Sequence, residues 1–199
     1  MDDTPTRQTV LVTGSSGTIG RLTCRALEAR GHTVRRFDRA ADPDGHDTIH
    51  GDIADASAVH DAAAECDAVV HLAARVNDDD FMDVLLPNNI IAVHHVLEAA
   101  RAHRVRRVVL ASSLQVVTSL LGRLNRPLRQ EDGTLPTNGY AVTKLFAESM
   151  GQMYAARHGL SIIALRVGWM PRNTRDAERI ADRRGRLQYW SHRDCMDMM

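Results

Sequence analysis

One strand-like run that ends in regularly spaced glycines limits how this chain can fold more than any other feature. Val10, Leu11 and Val12 lead into TGSSGTIG at residues 13–20, where a helical pattern begins. Glycines at this spacing allow a tight turn, a close approach of a pyrophosphate to the backbone, and packing of helix on strand. The spacing predicts a dinucleotide-binding βα unit with contacts at Gly14, Gly17, Thr18, Ile19 and Gly20. A glycine-rich turn without a ligand is the alternative.

Short apolar runs alternate with longer helical patterns along the rest of the chain. Strands are predicted at Thr9–Thr13, Thr33–Asp38, Thr48–Gly51, Ala68–Leu72, Arg107–Ser112 and Ser161–Val167. Helices are predicted from Thr18 to Gly31, from Asp55 or Ser57 to about Cys66, over Phe81–Arg104 with a break at Pro87, and over Asn138–His158. This alternation predicts an α/β protein of the Rossmann type, a doubly wound parallel sheet with helices on both faces.

Composition excludes several classes of function. The 199 residues carry 25 basic and 25 acidic side chains, and this balance argues against a nucleic-acid partner. Three cysteines without CxxC spacing fit a reducing cytoplasm, and the lack of a long apolar run argues against a membrane partner. Ten histidines occur without HExxH or other ligand spacing, so no metal site is predicted.

The C-terminal segment is shorter than an ordinary packed unit. Ser191 to Asp194 form a predicted capping box that opens a helix, but only eight residues follow Ser191. We expect that helix to be too short to pack stably, and the substrate region to be short or truncated; a frayed tail on a complete domain is the alternative. The predicted division is a cofactor-binding domain over residues 1–170 and the start of a substrate-binding region over 171–199.

A carboxylate at the end of the second strand bears on the choice of dinucleotide. Asp38 follows Gly20 by 18 residues, where a carboxylate accepts hydrogen bonds from an adenosine ribose and repels a 2′-phosphate. This predicts NAD in preference to NADP. Arg35, Arg36 and Arg39 lie close by and act in the opposite sense, and a solvated turn carboxylate is the alternative for Asp38.

A tyrosine and a lysine four residues apart form the candidate catalytic group. Tyr140 and Lys144 lie on one face of the predicted helix, where an ammonium and a cationic nicotinamide favour the phenolate. Ser113, at the end of the fifth strand, can donate a hydrogen bond to a substrate oxygen beside Tyr140. Tyr-x-x-x-Lys also occurs by chance, so this pair gains weight only from its position at the carboxyl edge of the sheet.

Taken together, these motifs resemble the extended short-chain dehydrogenase/reductase family, also called the NAD-dependent epimerase/dehydratase family. The resemblance covers nearly the whole chain and rests on TGSSGTIG, Asp38, Gly51-Asp52-Ile53, His71-Leu72-Ala73-Ala74, Asn89, Ala111-Ser112-Ser113 and Tyr140-Ala-Val-Thr-Lys144. It implies catalysis by Ser113, Tyr140 and Lys144. It further implies cofactor contacts from Asp52 and Ile53 at the adenine, from Leu72, Ala73 and Ala74, from Asn89, from Tyr140 and Lys144, and from Met170 at the nicotinamide.

Within the family, the nearest resemblance is to uronate dehydrogenases. It runs through Asn89-Ile90-Ile91, Glu98 to His103, Leu165 to Gly168 and Trp190-Ser191-His192. The predicted substrate contacts differ from those of uronate dehydrogenases. Where those enzymes place polar contacts, this chain has Val76, Leu114, Gln115 and Trp169 beside Ser113. Arg184 is the one residue predicted to bind a substrate carboxylate. Residues 118–137 form an insertion that either reshapes the site or is a plain surface loop.

The leading hypothesis is an NAD-dependent oxidoreductase, with Tyr140 as general acid/base, that acts on a sugar-like or small polyol substrate. A nucleotide-sugar epimerase or dehydratase and a non-catalytic NAD-binding fragment are the alternatives. The apolar side chains Leu145, Met150 and Met153 on the predicted helix that carries Tyr140 predict a homodimer interface, and packing of those side chains on the chain's own core is the alternative.

Overall fold

Six parallel strands form a single sheet in the computed structural model, which describes residues 7–121, 123–124, 126–171, 176, 178 and 189–198. The strands are β1 (Thr9–Thr13), β2 (Thr33–Asp38), β3 (Ile49–His50), β4 (Ala68–His71), β5 (Arg107–Ser113) and β6 (Ser161–Val167). The α-helices are α1 (Thr18–Ala29), α2 (Ala56–Ala63), α3 (Ala92–Ala102), α4 (Gly139–His158) and α5 (His192–Met198). A π-helix spans Phe81–Ile91, and 3₁₀ turns span Leu114–Val116, Thr118–Leu120 and Gln130–Asp132.

Alternating side chains of the buried strands serve two hydrophobic cores, one on each face of the sheet. Val10 and Val12 of β1 pack on one face with Cys24 of α1. Leu11, between them, belongs to the opposite cluster with residues of α2, α3 and α4. Because β1 is buried on both faces, its sequence is continuously apolar rather than alternating. The predicted α/β fold class with helices on both faces is confirmed.

The strand order is β3-β2-β1-β4-β5-β6. The chain moves outward from β1 to β3 and then returns to the other side of β1 at β4, so the order reverses between β1 and β4. Loops that leave these two strands diverge at their carboxyl ends and open a crevice there. This reversal is the topological reason for a ligand cleft at this edge of the sheet.

The π-helix occupies the first half of the long helix predicted over Phe81–Arg104. Pro87 lies inside it, and the Ala92 N–H donates to the Pro87 carbonyl five residues back. Proline lacks an N–H group, and regular α-helical pairing starts at Ala92. The predicted break at Pro87 therefore takes the form of a wide turn followed by α3.

The capping box at Ser191 forms as predicted, but the expectation that its helix would not pack was wrong. The Asp194 N–H donates to Ser191 Oγ at 3.0 Å, and the Ser191 N–H donates to the Asp194 carboxylate at 3.3 Å. α5 packs against α1, where Cys195 is fully buried and Asp197 pairs with Arg30 at 3.2 Å. Tertiary contacts stabilise a helix that would be marginal alone.

Candidate active site

A cleft of about 890 Å³ opens at the carboxyl ends of the strands. Nearly all the predicted site residues line it: Gly14, Gly17, Thr18, Ile19, Gly20, Asp38, Asp52, Ile53, Leu72, Ala73, Ala74, Val76, Ser113, Leu114, Gln115, Tyr140, Lys144, Trp169 and Met170. Arg184, the predicted carboxylate partner, lies outside the described residues. The structure therefore brings one contiguous set of residues together from positions more than 150 residues apart in sequence.

The glycine turn is built by close backbone contacts between β1, β4 and α1. Gly14 has φ +72°, and a Cβ there would lie 2.6 Å from the Ala73 nitrogen. A Cβ on Gly20 would lie 2.1 Å from the Gly14 carbonyl oxygen. Gly17 is the N-cap of α1, whose first turn has no capping side chain and no acidic residue in the described structure. The helix start is thus open for an anion, which its N–H groups and dipole favour.

Backbone amides fix the carboxylate of Asp38 at the rim of the cleft. Its two oxygens accept the Ser16 N–H at 3.0 Å and the Ala40 N–H at 2.9 Å. The carboxylate is therefore held against the glycine turn, where a ribose of a dinucleotide would reach it. Arg39 is exposed and also lines the cleft, so the structure places a carboxylate and a guanidinium at the same end.

Asn89 is buried, 2% exposed, and its amide is used by the protein. Its oxygen accepts the Arg75 N–H at 2.8 Å, and its nitrogen donates to the Arg75 carbonyl at 3.0 Å and to Thr143 Oγ1 at 2.9 Å. Thr143 in turn donates to the Tyr140 carbonyl at 2.7 Å. Asn89 thus braces the loop after β4 against α4, while its neighbour Asn88 lines the cleft.

Ser113, Tyr140 and Lys144 meet at the centre of the cleft. The Ser113 hydroxyl lies close enough to the Tyr140 phenol to lower its pKa. Lys144 Nζ donates to the Ala111 carbonyl at 2.9 Å and lies 5.7 Å from the Tyr140 ring centroid. Two elements build this arrangement, because β5 supplies the serine and the carbonyl and α4 supplies the other two side chains. The charge of Lys144 is also felt by buried His71 at the end of β4, whose pKa it helps to lower.

Burial governs the protonation of these groups. It raises the pKa of Tyr140, and the hydrogen bond from Ser113 acts in the opposite direction. It also lowers the pKa of Lys144 to about 8. The sequence predicted that Lys144 and the nicotinamide together would pull the pKa of Tyr140 down. Within the protein alone, loss of solvation raises that pKa, and Ser113 rather than Lys144 is the group that opposes the rise.

At the proposed substrate end of the cleft, Gln115 is oriented by Asn138, the N-cap residue of α4. Asn138 Oδ1 accepts the Ala141 N–H at 2.7 Å, so its amide nitrogen faces away and donates to Gln115 Oε1 at 2.9 Å. Gln115 therefore has its oxygen occupied and its NH₂ group left to donate. Beside Ser113 and Tyr140, this group is suited to an acceptor oxygen on a substrate.

The inserted segment over residues 118–137 reaches the cleft at both of its ends. Thr118 and Thr137 line the cleft, and the Leu135 N–H donates to the Val116 carbonyl at 2.9 Å. Arg126 and Asp132 form an ion pair at 2.5 Å farther out. The segment thus contributes to the cleft wall and is more than a surface loop.

Four cleft residues were not predicted as site residues from sequence: Ser16, Arg75, Asn88 and Asn138. Asn138 had a readable signal, since an asparagine two positions before Tyr140 is a helix N-cap pattern. The others depend on loop geometry that sequence does not encode locally. Within the described part of the chain, no group of three or more His, Cys, Asp or Glu side chains could hold a metal ion, and no helix is long and apolar enough to cross a membrane.

The sheet order, the open α1 start and the serine, tyrosine and lysine group define a Rossmann-fold protein of the short-chain dehydrogenase/reductase type. The chain belongs to the NAD dependent epimerase/dehydratase family, whose sequence model matches residues 10–170. The resemblance predicted from sequence is therefore confirmed.

Two curated relatives and one solved structure illustrate the match. L-arabinose 1-dehydrogenase (NAD(P)(+)) of Haloferax volcanii is 34% identical, over 94% of this chain and 78% of that protein. Uronate dehydrogenase of Pseudomonas syringae pv. tomato is 31% identical, over 80% of this chain and 58% of its own length. A mutant of uronate dehydrogenase from Agrobacterium tumefaciens complexed with NAD superposes with a TM-score of 0.79 at 28% identity, over 96% of this chain and 70% of that one.

Proposed function

We propose that this protein is an NAD-dependent dehydrogenase that oxidises a hydroxyl group of a sugar or a small polyol, or reduces the corresponding carbonyl. The observation that carries the proposal is the meeting of Ser113, Tyr140 and Lys144 in the same cleft as the glycine turn. A module that only binds a dinucleotide has no need of a buried phenol held by a serine. The sugar dehydrogenases among its relatives support the same conclusion.

The residues of the cleft fit a dinucleotide. The open start of α1 at Gly17 would hold the pyrophosphate, and Asp38 would accept hydrogen bonds from the adenosine ribose. Asp52 and Ile53 would border the adenine, while Lys144 would hold the nicotinamide ribose and Met170 would lie against the nicotinamide. When bound, NAD supplies the acceptor for a hydride from the substrate carbon.

Proton transfer is the task of the chain's own side chains. Ser113 donates a hydrogen bond to the reacting oxygen, and Tyr140 takes its proton during oxidation or returns it during reduction. Below a pH of about 8, Lys144 is charged and stabilises the phenolate that forms beside it. The Gln115 NH₂ group donates to a second substrate oxygen, while Val76, Leu114 and Trp169 contact less polar parts of the molecule.

The test is formation of NADH by the purified chain with NAD and a panel of aldoses, uronates and polyols. We expect turnover with at least one member, and a loss of at least about a thousandfold in Tyr140→Phe because its general base is gone. Tyr140→Phe keeps the ring, so NAD should still raise the melting temperature of this variant. Turnover unaffected by the substitution would overturn the assignment of Tyr140, and NAD binding without turnover on any substrate would favour the binding-module hypothesis.

We also propose a homodimer, a reducing cytoplasmic location and a domain division near residue 170. Val142 and Met153 leave an apolar surface on α4, at 46% and 40% exposure, which supports pairing through this helix, while Met150 packs against the core. Cys24, Cys66 and Cys195 are free and buried, which supports a reducing compartment. Sedimentation analysis tests the dimer directly.

A further inference from the structure

A third polar side chain follows Tyr140 and Lys144 along the buried face of α4. Glu148 lies one helical turn beyond Lys144 and is 9% exposed. Its Oε1 accepts the Ser112 hydroxyl at 2.5 Å and the Arg166 Nε at 2.8 Å, and its Oε2 accepts a second Arg166 nitrogen at 2.8 Å. We refer to Glu148, Ser112 and Arg166 as the Glu148 cluster.

The Glu148 cluster joins the three elements that end at the catalytic group. Ser112 lies on β5 directly before Ser113, and Arg166 lies on β6 two residues before Gly168. β5 and β6 are paired in register here, with Ser112 opposite Arg166 and Ser113 opposite Val167. One carboxylate on α4 therefore fixes the helix that carries Tyr140 against the two strand ends that face it.

Stability alone does not account for a buried charge at this position. Burial acts to raise the pKa of Glu148, but the hydrogen bonds from Arg166 and Ser112 outweigh it, so the pKa lies below its usual value and the group is ionised. Replacing a buried ion pair by apolar side chains of similar size is often neutral or stabilising. A fully bonded polar cluster does, however, specify one relative placement of the elements that it joins.

The placement matters because Ser113 acts on Tyr140 over a short range. Ser113 Oγ accepts the Gln115 N–H at 3.2 Å and lies near enough to the Tyr140 phenol to lower its pKa. Hydrogen bonds lose strength steeply as their length and angle depart from the optimum. A small shift of the β5 end is therefore enough to weaken the contact between Ser113 and Tyr140.

We propose that Glu148 is a positioning residue, which holds Ser112 and Arg166 so that the Ser113 hydroxyl stays beside the Tyr140 phenol. Its consequence for turnover rests on the proposed dehydrogenase function, whereas its consequence for Tyr140 ionisation does not. The two consequences can be measured separately.

The first experiment follows the tyrosinate absorbance of the purified chain against pH. Each variant is compared with the same variant carrying Tyr140→Phe, so that the difference isolates Tyr140 from the other two tyrosines. We expect Ser112→Ala, and Glu148→Met combined with Arg166→Met, to raise the pKa of Tyr140 by about one unit. Ser113→Ala should raise it as much, and adding Ser112→Ala to Ser113→Ala should raise it no further, because both act through the Ser113 hydroxyl. Additive shifts, or no shift in variants with a normal melting temperature, would overturn the proposal.

Glu98→Met combined with Arg101→Met is the matched control for Glu148→Met with Arg166→Met. The Glu98 carboxylate also accepts hydrogen bonds from an arginine, Arg101, and from a tyrosine hydroxyl, that of Tyr154. These bonds lie between α3 and α4, outside the residues that line the cleft. We expect this variant to leave the Tyr140 pKa unchanged. If this variant shifted the pKa of Tyr140 as much as Ser112→Ala does, any loosening of α4 would have the same effect. The positioning role of Glu148 would then be contradicted.

The second experiment measures turnover for the same variants. On a substrate that the wild type oxidises, Glu148→Met with Arg166→Met should lower kcat about tenfold or more, leave the Kd for NAD within twofold, and move the rise of kcat with pH to higher pH. Glu148→Gln, which keeps two acceptor lone pairs, should restore most of the rate. Unchanged kcat and pH profile would contradict the proposal, while a wild type without turnover but with the expected tyrosine titration would contradict only the dehydrogenase function.

Discussion

At the residue scale, the chemistry of the cleft depends on which polar groups are buried and what holds them. Tyr140 and Lys144 are both shielded from water. Burial raises the pKa of the tyrosine and lowers that of the lysine, so it favours the neutral form of each side chain. The acid/base role proposed for them therefore relies on nearby donors and on the charge of a bound cofactor. Gln115 illustrates the same principle for recognition, because Asn138 alone determines which end of its amide faces the cleft.

Gln115→Glu tests that orientation. The new carboxylate is only a hydrogen-bond acceptor, so it cannot donate a hydrogen bond to a substrate oxygen. We expect KM for the preferred substrate to rise about tenfold to a hundredfold, equivalent to roughly 1–3 kcal/mol, with little change in NAD affinity. Steady-state kinetics checks this, with Gln130→Glu in an exposed 3₁₀ turn as the control. An unchanged KM would show that Gln115 makes no substrate contact.

The residues of the site differ in how far sequence can reach them. Ser113, Tyr140 and Lys144 were predictable because strand ends and helical spacing place them at one edge. The Asn138 to Gln115 hydrogen bond joins residues 23 positions apart, and the bonds from Glu148 to Ser112 and Arg166 join residues on three elements. Such contacts depend on tertiary packing, so no local pattern predicts them.

At the element scale, β1, the glycine turn and α1 form the most completely predicted part of the fold. β1, β2 and β6 have the predicted bounds, and α1 begins at Thr18 as expected. The short β3 and the π-helix were less accessible, since one is only two residues long and the other departs from the regular helical period. Apolar periodicity identifies elements well only where they are long and regular.

Two glycine substitutions separate the folding role of the turn from its binding role. In Gly20→Ala the new methyl group would lie 2.1 Å from the Gly14 oxygen and 2.7 Å from the Ser15 Cα, so we expect a loss of about 2–4 kcal/mol in the free energy of unfolding. In Gly17→Ala the nearest atom is the Gly14 oxygen at 3.3 Å, so the fold should survive. Because Gly17 lines the cleft, NAD affinity should fall at least tenfold. Urea unfolding and calorimetric titration check the pair, and equal effects of the two substitutions on stability would contradict this division.

At the scale of the whole molecule, one buried histidine in the sheet makes the free energy of unfolding decrease at acid pH. His71 ends β4, with its Nδ1 2.8 Å from Thr13 Oγ1 on β1. Burial, followed by the charge of Lys144, lowers its pKa from 6.5 to about 3. The folded protein therefore keeps His71 neutral at pH values where the unfolded chain has already bound a proton.

The sign of the effect follows from that difference. Between pH 6.5 and about 3 the unfolded state binds more protons, so stability falls as the pH falls. At pH 5 the contribution from His71 is a loss of about 2 kcal/mol in the free energy of unfolding. In His71→Gln the contribution of the histidine should vanish. The decrease in the free energy of unfolding between pH 7 and pH 5 should therefore be smaller than in the wild type, as measured by urea unfolding. His46→Gln, at an exposed position, should behave as the wild type, and an equal drop in all three proteins would argue against this role for His71.

The reversal of strand order between β1 and β4 has a consequence for how such a protein diversifies. The glycine turn and Asp38 follow β1 and β2, on one side of the reversal, whereas Gln115 and Trp169 follow β5 and β6, on the other. A lineage can thus alter substrate contacts in the loops after β5 and β6 while the contacts proposed for the pyrophosphate and adenosine keep their register. The contacts proposed for the pyrophosphate and adenosine and those proposed for the substrate lie on separate sides of one sheet, so each set can be selected without undoing the other.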